Sequence, residues 1–243
     1  MTKTIEVILS PALYQHRLTR ENQVTVVVDV LRFTSSLTAA FHYGISEVIP
    51  VTHIAMAEEY KRKGFPVAAE RDGLKLPFAD FGNSMSGFDT PAIIGKSLVY
   101  CTTNGTVAMN MGADSGIVVA MAFTNMSSVA EFVAKQDFNA VILCSGWKNL
   151  LSIEDTLCAG ALLNHPLIKQ GFQPQGDECT LAADLWLKNE HGLKDAIMQT
   201  AHYKRLIGLG VDPNLDLLLT LDLYSLVPVY RDGVIRLADV QGF

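Results

Sequence analysis

Short apolar runs rich in β-branched residues recur over residues 5–9, 24–30, 48–51, 98–102, 117–122 and 140–144, and runs of this length and make-up predict buried β-strands. Between them lie segments of helical spacing, over residues 34–43, 53–63 and 126–135, each long enough to cross over between parallel strands. The alternation predicts an α/β fold, three layers α/β/α around a mostly parallel central sheet. From Ser152 to about Leu223 the pattern turns almost wholly helical. Two short apolar runs then follow, over residues 226–230 and 234–237, split by Arg231-Asp232-Gly233, and the Asp-Gly pair predicts a small closing β-hairpin. One domain is expected; if it has two lobes, they divide near residue 150 into a sheet lobe and a mainly helical cap. The longest irregular stretch, residues 71–96, is dotted with Gly, Pro and hydroxyl side chains, and a long loop in a compact domain is usually functional or mobile.

Composition narrows the class. Hydrophobic residues are 49% of the 243 and charged residues 18%, enough to bury a large core and too apolar for a disordered chain. A net charge of -6 gives no overall positive field for a polyanion, so nucleic acid and anionic membranes are not expected as partners. The four cysteines, Cys101, Cys144, Cys158 and Cys179, form no CxxC pair. The first residues mix charge into a short apolar run, unlike a secretory signal, and no apolar stretch approaches the roughly 20 residues of a membrane span. Reduced thiols in the cytoplasm are the expectation. The oligomeric state stays open, a homo-oligomer among the options.

Candidate chemistry sits where predicted strands end, because open α/β sheets bind ligands outside the carboxyl ends of their strands. Asp29 closes the first such run and Arg32 follows it, a carboxylate for a metal or substrate and a planar fork for phosphate oxygens. The alternative is that Asp29 only caps the next helix. Thr102-Thr103-Asn104-Gly105-Thr106 opens another helix with hydroxyls, an amide and backbone N–H groups, an anion cradle without a lysine or an ordinary turn. It has neither P-loop nor dinucleotide-loop spacing. Ser152 with Asp155 resembles a capping box, whereas Glu154 and Asp155 together suit a hard cation such as Mg2+. Glu70 and Arg71 stand at the end of a further predicted strand, residues 67–70. Acidic, hydroxyl or amide groups at four strand ends on one sheet edge make a site. His202, Lys204 and Arg205 form either a solvated helix face or a set that closes over an anionic substrate. Cys101 and Cys144 lack a histidine in a recognisable local signature and read as small buried hydrophobes.

The stretches DVLRFTSS, ERDGLKLPFADFGNS, TTNGT, SIEDTLCAG and HYKRLIGLG followed by VPV, in this order, resemble the motif set of the 2-phosphosulfolactate phosphatases, Mg2+-dependent phosphatases of the coenzyme M pathway. The likeness runs from about Val24 to Arg236. It implies release of phosphate from a small acidic phosphomonoester, and it adds Asn83 and Ser84 to the substrate-binding candidates Arg71, Thr103, Asn104, Gly105 and Thr106. Mg2+ would be held by Asp29 and the Glu154/Asp155 pair, with Glu70 joining through water. Arg32 would stabilise the charge spreading over the transferred phosphoryl group. Direct attack by water is favoured over an aspartyl-phosphate on Asp29, because Leu31 stands where such enzymes place their general acid. A metal-independent cysteine hydrolase and a non-catalytic sensor of small anions are the rival classes.

Overall fold

The computed structural model describes residues 2–15 and 22–238. The first half of the chain alternates as expected: β1 (Lys3–Ile8), a short α1 (Pro11–Tyr14), β2 (Gln23–Val28), α2 (Phe33–His42), β3 (Glu47–Pro50), α3 (Ile54–Arg62), β4 (Val67–Arg71), β5 (Leu74–Lys75), β6 (Ser97–Cys101), α4 (Gly105–Met111), β7 (Gly116–Met121), α5 (Met126–Lys135) and β8 (Asn139–Cys144). The second half is α6 (Ile153–Asn164), α7 (Pro166–Gly171), β9 (Phe172–Gln175), α8 (Asp177–Asn189), α9 (Leu193–Met198), α10 (Ala201–Gly208), α11 (Leu215–Leu218), β10 (Pro228–Arg231) and β11 (Val234–Leu237).

All six residues of β2 are buried, so its side chains on both faces are covered, and the neighbouring strands show why. Val26, Val28, Val119, Met121, Ile142 and Cys144 pack in one hydrophobic cluster with residues of α5, α6 and α8, including Leu157, Leu162 and Trp186. The alternate residues Val27, Val118, Ala120, Val141 and Leu143 pack in another with Leu37, Phe41 and Met109 of α2 and α4. Side chains that alternate across a pleated sheet, with helices over each face, make the three layers.

The strand order is β5-β4-β6-β3-β11-β10-β7-β2-β8-β1-β9. The expected closing hairpin is therefore no appendage: β10 pairs antiparallel with β7 and β11 antiparallel with β3, so it fills the middle of the sheet and joins two parallel sets. Three successive antiparallel steps make the β4-β6-β3 set run opposite to the β7-β2-β8-β1 set. The strand ends that carry candidate chemistry consequently do not lie on one edge of a uniformly parallel sheet. They can still meet, because five steps of about 20–25° of twist each between β2 and β6 turn nominally opposite strands to an acute angle. Both sets also lend a face to the α2/α4 layer, Val27 and Leu143 from one, Leu98, Tyr100 and Ala68 from the other.

The stretch expected to be almost wholly helical contains β9, an edge strand parallel to β1. Among the described residues no helix is long and apolar enough to cross a membrane.

Candidate active site

Asp29 follows β2 and is buried, and its two carboxyl oxygens differ. Oδ1 accepts the Phe33 N–H at 3.2 Å and so caps the start of α2. The Asp29 backbone is pinned by Thr34, whose hydroxyl accepts from Asp29 N at 3.0 Å. Oδ2 is left for the pocket that Asp29 lines together with Arg32, Glu70, Asn83, Asn104, His202 and Arg205. The pocket is narrow, with a cavity volume of about 10 Å³, and Leu31, Trp147 and Leu206 add apolar wall.

Burial pushes the Asp29 carboxyl up to about 6, against the Phe33 N–H and the His202 ring, which favour the anion; the charges of Glu70 and Glu154 push the same way as burial. Asp155 is raised well above the usual carboxylate range by burial first, then by Asp29 and Glu154. These carboxylates thus share one low-dielectric region.

Asp155 and Glu70 turn out to be clamps on the backbone. Asp155 Oδ1 accepts the Val30 N–H at 2.8 Å and Oδ2 the Gly146 N–H at 2.9 Å, which ties the loop after β2 to the loop after β8. Only half of the predicted capping box forms: Ser152 Oγ accepts the Asp155 N–H, while the Asp155 side chain is drawn to those two loops instead. Gly146 suits this turn, with a φ of +59° and with Leu150 O only 2.2 Å from where a Cβ would stand. Glu70 does the same elsewhere: Oε2 accepts from Gly73 N at 2.7 Å and Oε1 from Thr103 N at 2.6 Å.

Glu154 is different. Its Oε1 lies 2.6 Å from His202 Nδ1, and its Oε2 is buried with no hydrogen-bond partner. With Nδ1 engaged, His202 keeps Nε2 for the pocket, and its ring lies against Trp147 at 5.3 Å between centroids. One turn further along α10, Arg205 covers the same indole, its Cζ 3.7 Å from the ring centroid. Its Nη1 donates to Asp72 O at 2.7 Å, while Nε and Nη2 are buried without an acceptor.

The remaining candidates divide. Arg32 lines the pocket and donates from Nη2 to Gly73 O at 2.7 Å. Burial lowers the pKa of both Arg32 and Arg205; Tyr100, Glu70 and Asp29 oppose the change at Arg32, and Glu70, Asp72 and Glu154 oppose it at Arg205. Asn83 Oδ1 accepts the Tyr100 hydroxyl at 2.7 Å and Asn104 Oδ1 accepts the Lys148 N–H at 3.2 Å, both in the pocket wall. Thr103 Oγ1 accepts the Asp72 N–H. Thr106 exchanges bonds with Thr102, which makes it part of the helix start. At Gly105 a Cβ would stand 2.4 Å from Phe33, so the glycine lets α4 pack on α2. Ser84 pairs with Ser86 outside the pocket wall. Arg71 also lies outside it, its Nη2 directed to Thr52 O and Cys101 Sγ, and Arg205 supplies the second guanidinium instead.

Trp147, His202 and Arg205 also line the pocket, where strand-end reasoning did not place them. The available signal was the i, i+3 spacing of His202 and Arg205, which puts both on one helix face while Lys204 turns away to Gln199. The thiol alternative loses its footing, since all four cysteines are buried and burial raises each thiol pKa.

Among the described residues no three His, Cys, Asp or Glu side chains gather as a ready-made metal cage. Yet the orphaned buried Oε2 of Glu154, within electrostatic reach of Asp29, is the kind of oxygen a hard cation takes, and Mg2+ needs only one or two carboxylates besides water and phosphate oxygens.

Comparison with known proteins gives a family model described as 2-phosphosulpholactate phosphatase, which matches residues 8–233. A protein of Thermotoga maritima named a probable 2-phosphosulfolactate phosphatase is 33% identical over 220 residues, 90% of this chain and 94% of its own. One of Caldanaerobacter subterraneus with the same name is 32% identical over 216 residues, 87% of this chain and 89% of its own. One of Pseudothermotoga lettingae, again so named, is 34% identical over 214 residues, 86% and 90% respectively.

Proposed function

This chain belongs to the 2-phosphosulpholactate phosphatase family, enzymes that hydrolyse a phosphoric monoester, and on that premise we propose that its pocket releases phosphate from a small acidic phosphomonoester, 2-phosphosulfolactate giving sulfolactate, with Mg2+ as cofactor. The observation that supports this best is the meeting of unlike charges in one pocket: the Asp29 carboxylate, within electrostatic reach of the unpartnered Glu154 oxygen, and the Arg32 and Arg205 guanidinium groups. Carboxylates alone would repel a phosphate. Arginines alone would bind it without activating water.

Asp29 Oδ2 and Glu154 Oε2 would hold the cation; Glu70 and Asp155, whose oxygens already hold backbone N–H groups, shape the loops around it. When bound, Mg2+ supplies neutralisation of phosphate charge and a more acidic water. Arg32, fixed through Gly73 O, faces the charge that spreads over the phosphoryl oxygens as the ester bond breaks. Asn83 and Asn104 have their carbonyl oxygens engaged by Tyr100 and Lys148, which turns their NH2 groups to serve as donors to substrate oxygens. His202, oriented by Glu154 at Nδ1, is positioned to deliver a proton from Nε2 to the leaving oxygen. Leu31, Trp147 and Leu206 keep bulk water from the reacting atoms. Water attacks in line, and Leu31 leaves no general acid two residues beyond Asp29 to support a covalent intermediate.

The test is phosphate release from 2-phosphosulfolactate and phospholactate after exhaustive chelation and after Mg2+ is returned. Loss and recovery are expected, and full activity in chelated enzyme would overturn the cofactor. Glu154→Gln should raise the Mg2+ concentration for half activity with little change in melting temperature. Asp155→Asn should act mainly on stability, by about 1–3 kcal/mol, because a buried N–H loses its acceptor.

A further inference from the structure

Arg205 is held at three points and open at one edge. Its helix begins at Thr200, whose hydroxyl accepts the Tyr203 N–H at 3.1 Å. Its guanidinium lies over Trp147 and its Nη1 is tied to Asp72 O. The two donors left over, Nε and Nη2, are both buried and both without an acceptor. They form one edge of the planar group, with N–H bonds that run parallel at the spacing of two oxygens on a single carbon or sulfur atom. A buried charged fork with neither donor matched is costly to keep unless something outside the protein completes it. Nearby Glu70, Asp72 and Glu154 keep the group charged, and none of them takes up this edge. Arg32, by contrast, feels the charge of Asp29 as well as that of Glu70.

We propose that the Nε/Nη2 edge of Arg205 binds the organic acid group of the substrate, a carboxylate or sulfonate carried beside the phosphate ester, and so sets the preference for acidic esters. The assignment rests on the phosphatase reading of the pocket and deepens it. Arg32 and Asp29 then serve the phosphate and Arg205 the remainder of the molecule, and two oxyanions on adjacent carbons are each met by a separate fork.

The experiment compares kcat/KM for phospholactate, which carries a carboxylate, isethionate phosphate, which carries a sulfonate, and glycerol 2-phosphate, which carries neither. Wild type, Arg205→Lys and Arg205→Gln are assayed, each first shown folded by its melting curve. In the wild type the acidic esters should be preferred, and in Arg205→Lys that preference should fall at least tenfold, because lysine keeps the charge and loses the paired edge. The arm that loses more tells whether carboxylate or sulfonate sits on the fork. Preference ratios unchanged in both variants, whatever the absolute rates, would overturn the assignment. Calorimetry with sulfolactate, which has both acid groups and no phosphate, gives an independent reading: binding should weaken at least tenfold in Arg205→Lys, and equal affinity would overturn the proposal. Wild type that releases phosphate from none of the three esters nor from 2-phosphosulfolactate, yet binds sulfolactate through Arg205, would leave the fork intact and remove the phosphatase reading, so the two failures are separable.

Discussion

At the scale of single residues, Asp29 is held where its charge is unwelcome. Its carboxyl titrates near 4 in an unfolded chain and is pushed up to about 6 in the folded one, chiefly by burial and then by the charges of Glu70 and Glu154, with His202 and the Phe33 N–H opposing. The folded state therefore binds the proton more tightly, and stability falls as pH rises from about 4 through 6. A change of that size corresponds to about 3 kcal/mol, on the order of a quarter or more of the stability of an ordinary domain. Asp29→Asn removes the group, so metal-free variant should be more stable than metal-free wild type at pH 7.5, should show a shallower pH slope between 4 and 6, and should hardly hydrolyse ester. Melting temperatures across pH 4–8 check this; a variant that melts lower than wild type at pH 7.5 would show that capping of Phe33 is the dominant role. Asp155 is shifted in the same direction, in part by the Asp29 charge, so it keeps a slope of its own in the variant, a smaller one once that charge is gone. Asp29 and Arg32 were legible from position alone, since the end of a buried strand is where an open sheet exposes its chemistry. Arg71 was not, because its side chain crosses to Thr52 and Cys101, and sequence adjacency to Glu70 carries no information about direction.

Elements were most legible where burial on both faces leaves an unbroken apolar run. The strands β2, β7 and β8 and the helix α5 fall within a residue or two of the expected bounds for that reason. β9 reads Phe-Gln-Pro-Gln, a proline and two glutamines in four residues, and such a strand survives only at a sheet edge, where one side needs no partner. The hairpin was legible as a hairpin, with Asp232 and Gly233 both at positive φ, but its place was not. Pairing of Ile235 with Val48 spans 187 residues and that of Val229 with Val119 spans 110, and no local pattern encodes either. Two substitutions separate a central wedge from a peripheral flap. Ile235 is fully buried and Leu237 is 42% exposed on the same strand. Ile235→Ala should cost about 2–5 kcal/mol as a large-to-small change in a packed core, and Leu237→Ala under about 1. Denaturant melts of the two variants check it, and equal small losses would place the hairpin outside the cooperative core.

For the whole molecule, the pocket lies on the seam between two strand sets whose in-sheet link is that hairpin. On one side are Asp29, Arg32 and the Trp147–Lys148 turn; on the other are Glu70, Gly73 and Asn104. Above the core that the two sets share, the pocket adds only a few polar stitches across the seam. Arg32 reaches Gly73 O, Lys148 N–H reaches Asn104 Oδ1, and an exposed ion pair joins Lys148 to Asp72. Exposed pairs of that kind contribute about 1 kcal/mol or less. An anion bound between Arg32 and Asn104 touches both sides at once, so its binding energy becomes stability of the assembled sheet. At a hundred times its dissociation constant a ligand specific for the folded state adds about 2.7 kcal/mol, which for a chain of this size is about 5–10 °C in melting temperature. Inorganic phosphate with Mg2+, the product form of the proposed reaction, should raise the melting temperature in that range. It should also slow hydrogen exchange together at Val30 and Gly146 on one side and at Gly73 and Thr103 on the other, since these amides are the ones the Asp155 and Glu70 clamps hold. Arg32→Lys should reduce the effect on both sides in parallel, because one fork serves both. Protection confined to the Val30 side would place the anion against a single strand set, and the seam would then be a passive consequence of the fold.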